Sequence, residues 1–200
     1  FANLAQHLEN VAKFGVPAVV ALNRFVTDGD DELDAIRAGC RPLKVPVALC
    51  EVWEKGGEGG IELAEAALGL LKRGGAKFRP LYDERLPIRQ KVETIAKEIY
   101  CAEGVDFEPR AERAARQLAD FGLGETPVCM AKTQYSFSDD PALLGAPSGF
   151  RLTVRDIHPS AGAGFVVALA GEIMTMPGLS KSPAAERMAV RRDGTIEGLF

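Results

Sequence analysis

Three short stretches of this sequence carry side chains that a solvated turn does not need, and each follows an apolar run. The first is Asn23-Arg24-Phe25-Val26-Thr27-Asp28. Its Asn and Asp have the spacing of a loop that reads a nucleotide base, although Arg24 stands where such loops carry Lys. The plainer reading, a strand-to-helix turn with Asp28 or Thr27 as the helix cap, is favoured on composition. The second stretch is Glu51-Val52-Trp53-Glu54-Lys55, which holds the chain's only tryptophan, followed by Gly56-Gly57-Glu58-Gly59-Gly60. An indole just past a strand end is either a core plug or a flat surface for a heteroaromatic ligand, and the charged flanks argue against the deep core. The glycine run enters a helix N-terminus, where an anion could sit. A flexible loop with a helix cap accounts for it equally well. The third stretch, Lys132-Thr133-Gln134-Tyr135-Ser136, offers a cation, hydroxyls and an amide after a strand. An ordinary polar connection is the simple account, and the density of donors tilts the reading toward ligand contact.

Other chemistries find no support. Lys132-Thr133 and Lys181-Ser182 are the only Lys-Thr or Lys-Ser pairs, and neither has the preceding glycines of a phosphate-cradling loop. His7 and His158 lie far apart without metal-ligand spacing, and His7 reads as a helix-surface residue. The cysteines, Cys40, Cys50, Cys101 and Cys129, form no CxxC pair, so no zinc site is expected. Cys50 and Cys129 lie in apolar runs and are expected to be buried reduced thiols, in keeping with a reducing, cytoplasmic setting. Asp28, Asp30, Asp31 and Glu32 read as the acidic start of a helix rather than a metal site. The net charge of -4 does not fit a whole-surface nucleic-acid footprint.

Patterned elements must position these loops. Leu4, Leu8 and Val11 share a helical face, stopped by Gly15. Val16 to Leu22 is a continuous apolar run, expected to be a strand buried on both faces. A short helix carrying Leu33 and Ile36 follows, then a strand from Val45 to Cys50. The helix after the glycine run has Ile61, Ala64, Leu68 and Leu71 as its expected apolar face and ends at Gly74-Gly75. Pro87 opens a helix striped by Ile88, Val92, Ile95 and Ile99. Pro109 opens another, which carries Leu118 and stops at Gly122. Pro127 to Ala131 reads as a strand. Phe150, Leu152 and Val154 alternate with Arg151, Thr153 and Arg155 as in a half-buried strand. The small-residue loop Ser160-Ala161-Gly162-Ala163-Gly164 precedes the apolar run from Phe165, and Asp193-Gly194 makes a hairpin turn between Val190 and Ile196.

This order predicts an α/β protein, mostly parallel, with a β-rich C-terminal end. The 200 residues are 46% hydrophobic and 26% charged, which excludes collagen-like and wholly disordered chains. The longest apolar run, Phe165 to Ala170, is too short to span a bilayer as a helix. The first residue is Phe1, already inside a helical pattern and with no signal-peptide character, so a fragment or processed chain is expected. Three segments are expected: 1–75 as part of an α/β core, 76–125 as a helical insertion or small subdomain, and 126–200 as strands completing the core.

Long strings in this order resemble the formate–tetrahydrofolate ligase family, in its C-terminal part. They are Phe14-Gly15-Val16-Pro17 through Asn23-Arg24-Phe25, Glu51 to Gly60, and Val92-Glu93-Thr94-Ile95-Ala96-Lys97-Glu98-Ile99-Tyr100. They continue with Pro127 to Ser138, Ser160 to Phe165, and Ile173-Met174-Thr175-Met176-Pro177-Gly178-Leu179. Cys101, Ser180 and Ser182 depart from the family's pattern.

The resemblance implies a P-loop NTPase-like fold and ATP-dependent ligation of formate to tetrahydrofolate, giving 10-formyltetrahydrofolate through formyl phosphate. It implies Mg²⁺ on the nucleotide, a monovalent cation (K⁺ or NH₄⁺) as activator, and a homotetramer. It places Phe25 and Trp53 on the two faces of the pterin. Glu51 could then accept from pterin nitrogens, Lys55 could attract the glutamate tail, and Lys132, Thr133 and Gln134 could help hold the nucleotide. The family's phosphate loop and formyl-phosphate groups lie upstream of these residues, so no catalytic residue is expected in this chain and no activity from it alone. Two further classes compete: a nonenzymatic nucleotide- or folate-binding or oligomerisation module, and a nucleotide-binding regulatory protein suggested by Asn23 and Asp28. Small-molecule partners are expected, with neither nucleic acid nor membrane.

Overall fold

The computed structural model describes residues 1–171, 173 and 181–198. The first elements are helix α1 (Ala2–Lys13), strand β1 (Val20–Asn23), α2 (Asp30–Cys40), β2 (Val47–Cys50), the short α3 (Val52–Lys55) and α4 (Ile61–Arg73). Then come α5 (Ile88–Glu98), β3 (Gly104–Phe107), α6 (Pro109–Asp120) and β4 (Val128–Ala131). The end of the chain is strand-rich: β5 (Arg151–Ser160), β6 (Phe165–Ala170), β7 (Ala189–Val190) and β8 (Ile196–Glu197). The architecture is α/β, and among the described residues three of the five strand pairings are parallel. The resemblance stretch Ile173–Leu179 and the departure at Ser180 lie outside the described residues, Ile173 excepted.

β1 and β2 pair in parallel, from Val20 opposite Val47 to Asn23 opposite Cys50. Their core is Val20, Leu22, Leu33 and Cys40, closed by Leu4, Leu8 and Ile36 from α1 and α2. The expectation of a strand over Val16 to Leu22 buried on both faces is corrected on both counts. The strand begins at Val20, because Gly15 and Pro17 break its start. Gly15 has a φ of +70°, and a side chain there would meet the Lys77 carbonyl. Pro17 has no N–H to donate. Val20 and Leu22 are buried whereas Ala21 and Asn23 are exposed, so only one face is fully packed.

The second sheet has the order β3-β5-β6-β4. β5 runs parallel to β3 and antiparallel to β6, with a bulge between Val154 and Asp156, and β4 runs parallel to β6. Strand β3 is not marked in the sequence, because Val105 and Phe107 are separated by Asp106 and form no apolar run of the kind that signals β1, β2 and β4. Helices α5 and α6 cover this sheet. Leu152, Val154, Val166, Ala168, Val92 and Ala96 are completely inaccessible, the signature of a close-packed core. Lys91 is also fully buried, and its ammonium donates to the Thr126 carbonyl at 2.9 Å. The hairpin at Asp193-Gly194 forms as the sequence indicates, with Gly194 at a φ of +85°.

Two expectations about packing do not hold. The apolar face of α4 is not Ile61, Ala64, Leu68 and Leu71, all of which are exposed; Leu63, Ala66, Ala67 and Leu70 are half-buried instead. This helix has apolar residues on more than one side, and packing against β2 selects among them. Cys129 is exposed, not buried, because β4 is an edge strand. Cys50 is buried as expected, and all four cysteines are free.

α1 ties the two sheets together. One side presents Leu4 and Leu8 to the β1–β2 core. From the same helix, Asn10 donates to the Ile99 carbonyl at 2.8 Å, Lys13 pairs with Glu98 at 3.1 Å, and the His7 ring lies 4.6 Å from that of Phe137.

Candidate functional site

β1 and β2 are parallel and in register, so their carboxyl ends release two loops side by side. In open α/β sheets this is where ligands bind. The first loop is pulled tight against the second at its root, where the Arg24 N–H donates to the Cys50 carbonyl at 3.0 Å. It then turns sharply. The Asp28 N–H donates to the Phe25 carbonyl at 3.0 Å, and the Asp28 carboxylate accepts from the Phe25 N–H at 2.8 Å. Asp28 therefore fixes the backbone of Phe25 and does not cap the helix. The residue before α2 is Gly29, whose N–H is taken by the Glu32 carboxylate at 3.2 Å. Neither Asp28 nor Thr27 supplies the side-chain cap expected from sequence.

The second loop winds into α3, which carries Trp53. Glu51 anchors it: its carbonyl accepts from the N–H groups of Glu54 and Lys55, and its N–H donates to the Gly59 carbonyl at 2.9 Å. The Gly56–Gly60 segment is a 3₁₀ turn folded onto this anchor. A β-carbon on Gly59 would lie 2.4 Å from the Glu51 carbonyl oxygen. Glycine at 59 thus serves close backbone approach, a use of the glycine run distinct from an anion cradle.

The structure brings Phe25 and Trp53 together. Their ring centroids are 6.3 Å apart and the planes are inclined by 52°. Trp53 is 63% exposed and Phe25 46% exposed, so both offer ring faces to solvent. A flat heterocycle between two parallel rings needs about 7 Å between them, twice a van der Waals contact. The observed pair is close to that spacing and requires mainly a change of tilt. Lys55 and Glu51 also lie here, joined by a 2.7 Å ion pair, with Glu51 the more buried partner. Their charges are thus paired with each other.

Lys132, Thr133 and Gln134 do not join these strands. They follow β4, in the other sheet. The Lys132 ammonium donates to the Thr133 carbonyl at 2.9 Å and to the Ser136 carbonyl, and lies 5.1 Å from the centre of the Tyr100 ring. Burial pushes this ammonium below the usual lysine range, and Asp139 partly opposes that. Thr133 is buried and accepts from the Tyr135 N–H, whereas Gln134 is exposed. The loop walls a cavity of about 600 Å³ together with His7, Tyr100, Tyr135 and Phe137. The aromatic contribution of α1 to this cavity was not legible in sequence, since nothing local links His7 to Phe137. Among the described residues no three His, Cys, Asp or Glu side chains converge as a metal site.

Two parallel strands of an α/β protein thus bring two exposed aromatic rings side by side at the carboxyl end of their sheet. A family profile described as formate–tetrahydrofolate ligase matches residues 1–200, and the chain belongs to that family. The family implies an ATP-dependent ligase of folate one-carbon metabolism, with small-molecule substrates such as formate, ATP and folate. Among the described residues no helix is long and apolar enough to cross a membrane.

Proposed function

We propose that this chain is the folate-binding, C-terminal portion of a P-loop NTPase-like enzyme that ligates formate to tetrahydrofolate at the expense of ATP, through formyl phosphate. The observation that carries the reading is the Phe25–Trp53 pair, exposed and adjacent, just past the ends of two parallel strands in a chain of this family. Stacking a pterin between two rings combines apolar burial with quadrupole contacts. Glu51 accepts from the pterin N–H groups once the ring is seated, and Lys55, released from Glu51, attracts the glutamate tail. Lys132, Thr133 and Gln134 form part of the nucleotide site; Lys132 organises that loop from within, and Gln134 is the member free to reach a ligand.

Mg²⁺ enters with the nucleotide, and a monovalent cation (K⁺ or NH₄⁺) acts as activator. Neither ion is assigned a ligand among the described residues, where no three His, Cys, Asp or Glu side chains converge. The complete enzyme is a cytoplasmic homotetramer in this reading.

The test is a titration of the chain with tetrahydrofolate, followed by Trp53 emission. Saturable quenching or enhancement is expected. An unchanged spectrum, with unchanged folate affinity in both Trp53→Ala and Phe25→Ala, would remove the sandwich.

A further inference from the structure

β1 and β2 also have amino ends, away from the aromatic loops. Val16 to Val19 lead into β1 and Lys44 to Pro46 into β2, side by side because the strands are parallel. The ladder starts at Val20, whose N–H donates to the Pro46 carbonyl at 2.9 Å. In front of it lies a hollow of about 460 Å³, walled by Leu8 and Ala12 of α1, by Val16, Pro17 and Val45, and by Leu70 of α4. A second hollow, of about 350 Å³, shares Pro17, Leu70 and Gly74 with the first and extends along Val19, Ala67 and Leu71. Among the described residues lining either hollow, none is aromatic, none is acidic, and none has a hydroxyl or amide side chain. The polar side chains are two cations, Lys44 and Arg73, both at the first hollow.

Neither cation is engaged. Lys44 and Arg73 are exposed and make no side-chain hydrogen bond or ion pair among the described residues. Arg73 stands in the last turn of α4, where a cation suits the helix dipole. Lys44 has no such account. Its φ is +55°, a left-handed turn that glycine takes without strain and lysine rarely adopts. A charged side chain is thus set at the wall against the local backbone preference, the kind of outlier that marks a functional position. The lining decides the ligand class. A sugar or nucleoside needs hydroxyl or amide partners, and a flat ring is met by aromatic faces. An aliphatic tail needs only apolar walls, and a carboxylate is matched by lysine and arginine through charge-assisted bonds. We propose that the two hollows form one trough that binds an aliphatic carboxylate of medium length. Its headgroup lies between Lys44 and Arg73, and its tail runs over Pro17 and Leu70 toward Leu71. This site is independent of the folate and nucleotide readings of the loops at the other ends of the strands.

The experiment is calorimetric titration of the chain with hexanoate, octanoate, decanoate and octanol, with Trp53 emission recorded in parallel. Octanoate is expected to bind saturably, about tenfold tighter than octanol, the scale of one hydrogen bond to a charged group. Trp53 emission should not change. Each added methylene from hexanoate to decanoate should strengthen binding about fourfold, the scale of burying one CH₂. Lys44→Gly removes the charge and suits the left-handed turn, so it should weaken octanoate several-fold with the melting temperature unchanged or raised. Arg73→Gln should also weaken octanoate several-fold, and the two together should erase the preference over octanol. Leu71→Ser, at a position 75% exposed, should remove the gain from octanoate to decanoate. The proposal is overturned if octanol binds as tightly as octanoate, or if Lys44→Gly and Arg73→Gln leave octanoate affinity unchanged. It is overturned if octanoate perturbs Trp53 and so sits beside Phe25. Absence of octanoate binding overturns it too, and sedimentation then tells whether a second copy covers the face, by self-association that Leu71→Ser abolishes.

Discussion

Trp53 and Phe25 owe their positions to backbone bonds and not to each other. The Asp28 carboxylate clamps the Phe25 N–H, and the Glu51 carbonyl caps the turn under Trp53. The two rings are therefore set beside each other by backbone bonds, and both remain exposed. Because each ring supplies one face, removing either should cost one stacking contact plus its apolar burial. Trp53→Ala and Phe25→Ala should each weaken tetrahydrofolate binding about tenfold, with little change in thermal stability, since both side chains are largely exposed. Lys55 gives a second residue-level expectation. If its ammonium attracts the glutamate tail, Lys55→Gln should weaken folate binding a few-fold at low ionic strength and progressively less as salt is added. An affinity independent of both the substitution and salt would leave Lys55 as a partner of Glu51 only. The types and order of these residues were legible in the sequence. The roles of Asp28 and Gly59 were not, because both act on a backbone that the fold brings near.

α4 shows why elements are read more easily than their orientation. Its limits, and the stop at Gly74, follow from composition and from a glycine at a φ of +65°. Its buried side does not, because Leu63 and Leu70 compete with Leu68 and Leu71 for the core, and only contact with β2 decides. β5 is the opposite case. Its alternation permits one packing, and Leu152 and Val154 are fully buried as the pattern requires. Leu152→Ala should cost about 2–5 kcal/mol, read as a lowered urea midpoint at constant slope. Lys91 on α5 adds a pH dependence. Burial pushes its ammonium below the ordinary lysine value of roughly 10.4. Between its folded and unfolded values the unfolded chain holds more protons, so this group's contribution to stability rises with pH until the ordinary value is passed. The melting temperature of the native chain relative to Lys91→Met should accordingly climb as pH approaches 10.5. A constant difference across that window would mean that Lys91 is ionised alike in both states.

At the scale of the whole molecule, the two candidate sites belong to different sheets. The Phe25–Trp53 pair follows β1 and β2, and the ring-lined cavity lies at the sheet of β3 to β6, while α1 packs on the core of the first sheet and lines the cavity. The 200-residue sequence contains no phosphate-loop motif with glycines preceding a Lys-Ser or Lys-Thr pair. Phosphoryl transfer depends on such positioned donors and charge neutralisation. The chain by itself should therefore show no formate-dependent ATP turnover, and an assay that finds it would refute the division of labour proposed here. The sequence by itself determined the family, the α/β class, most helices and strands, and the residue types able to stack, because each of these depends on local pattern or on long matching strings. Only the tertiary structure decided that Phe25 meets Trp53, that Glu51 and Lys55 neutralise one another, that Lys132 is turned inward on its own loop, and that His7 joins Phe137. Those are contacts between groups distant along the chain, or choices among faces that local pattern leaves equivalent, and packing alone resolves them.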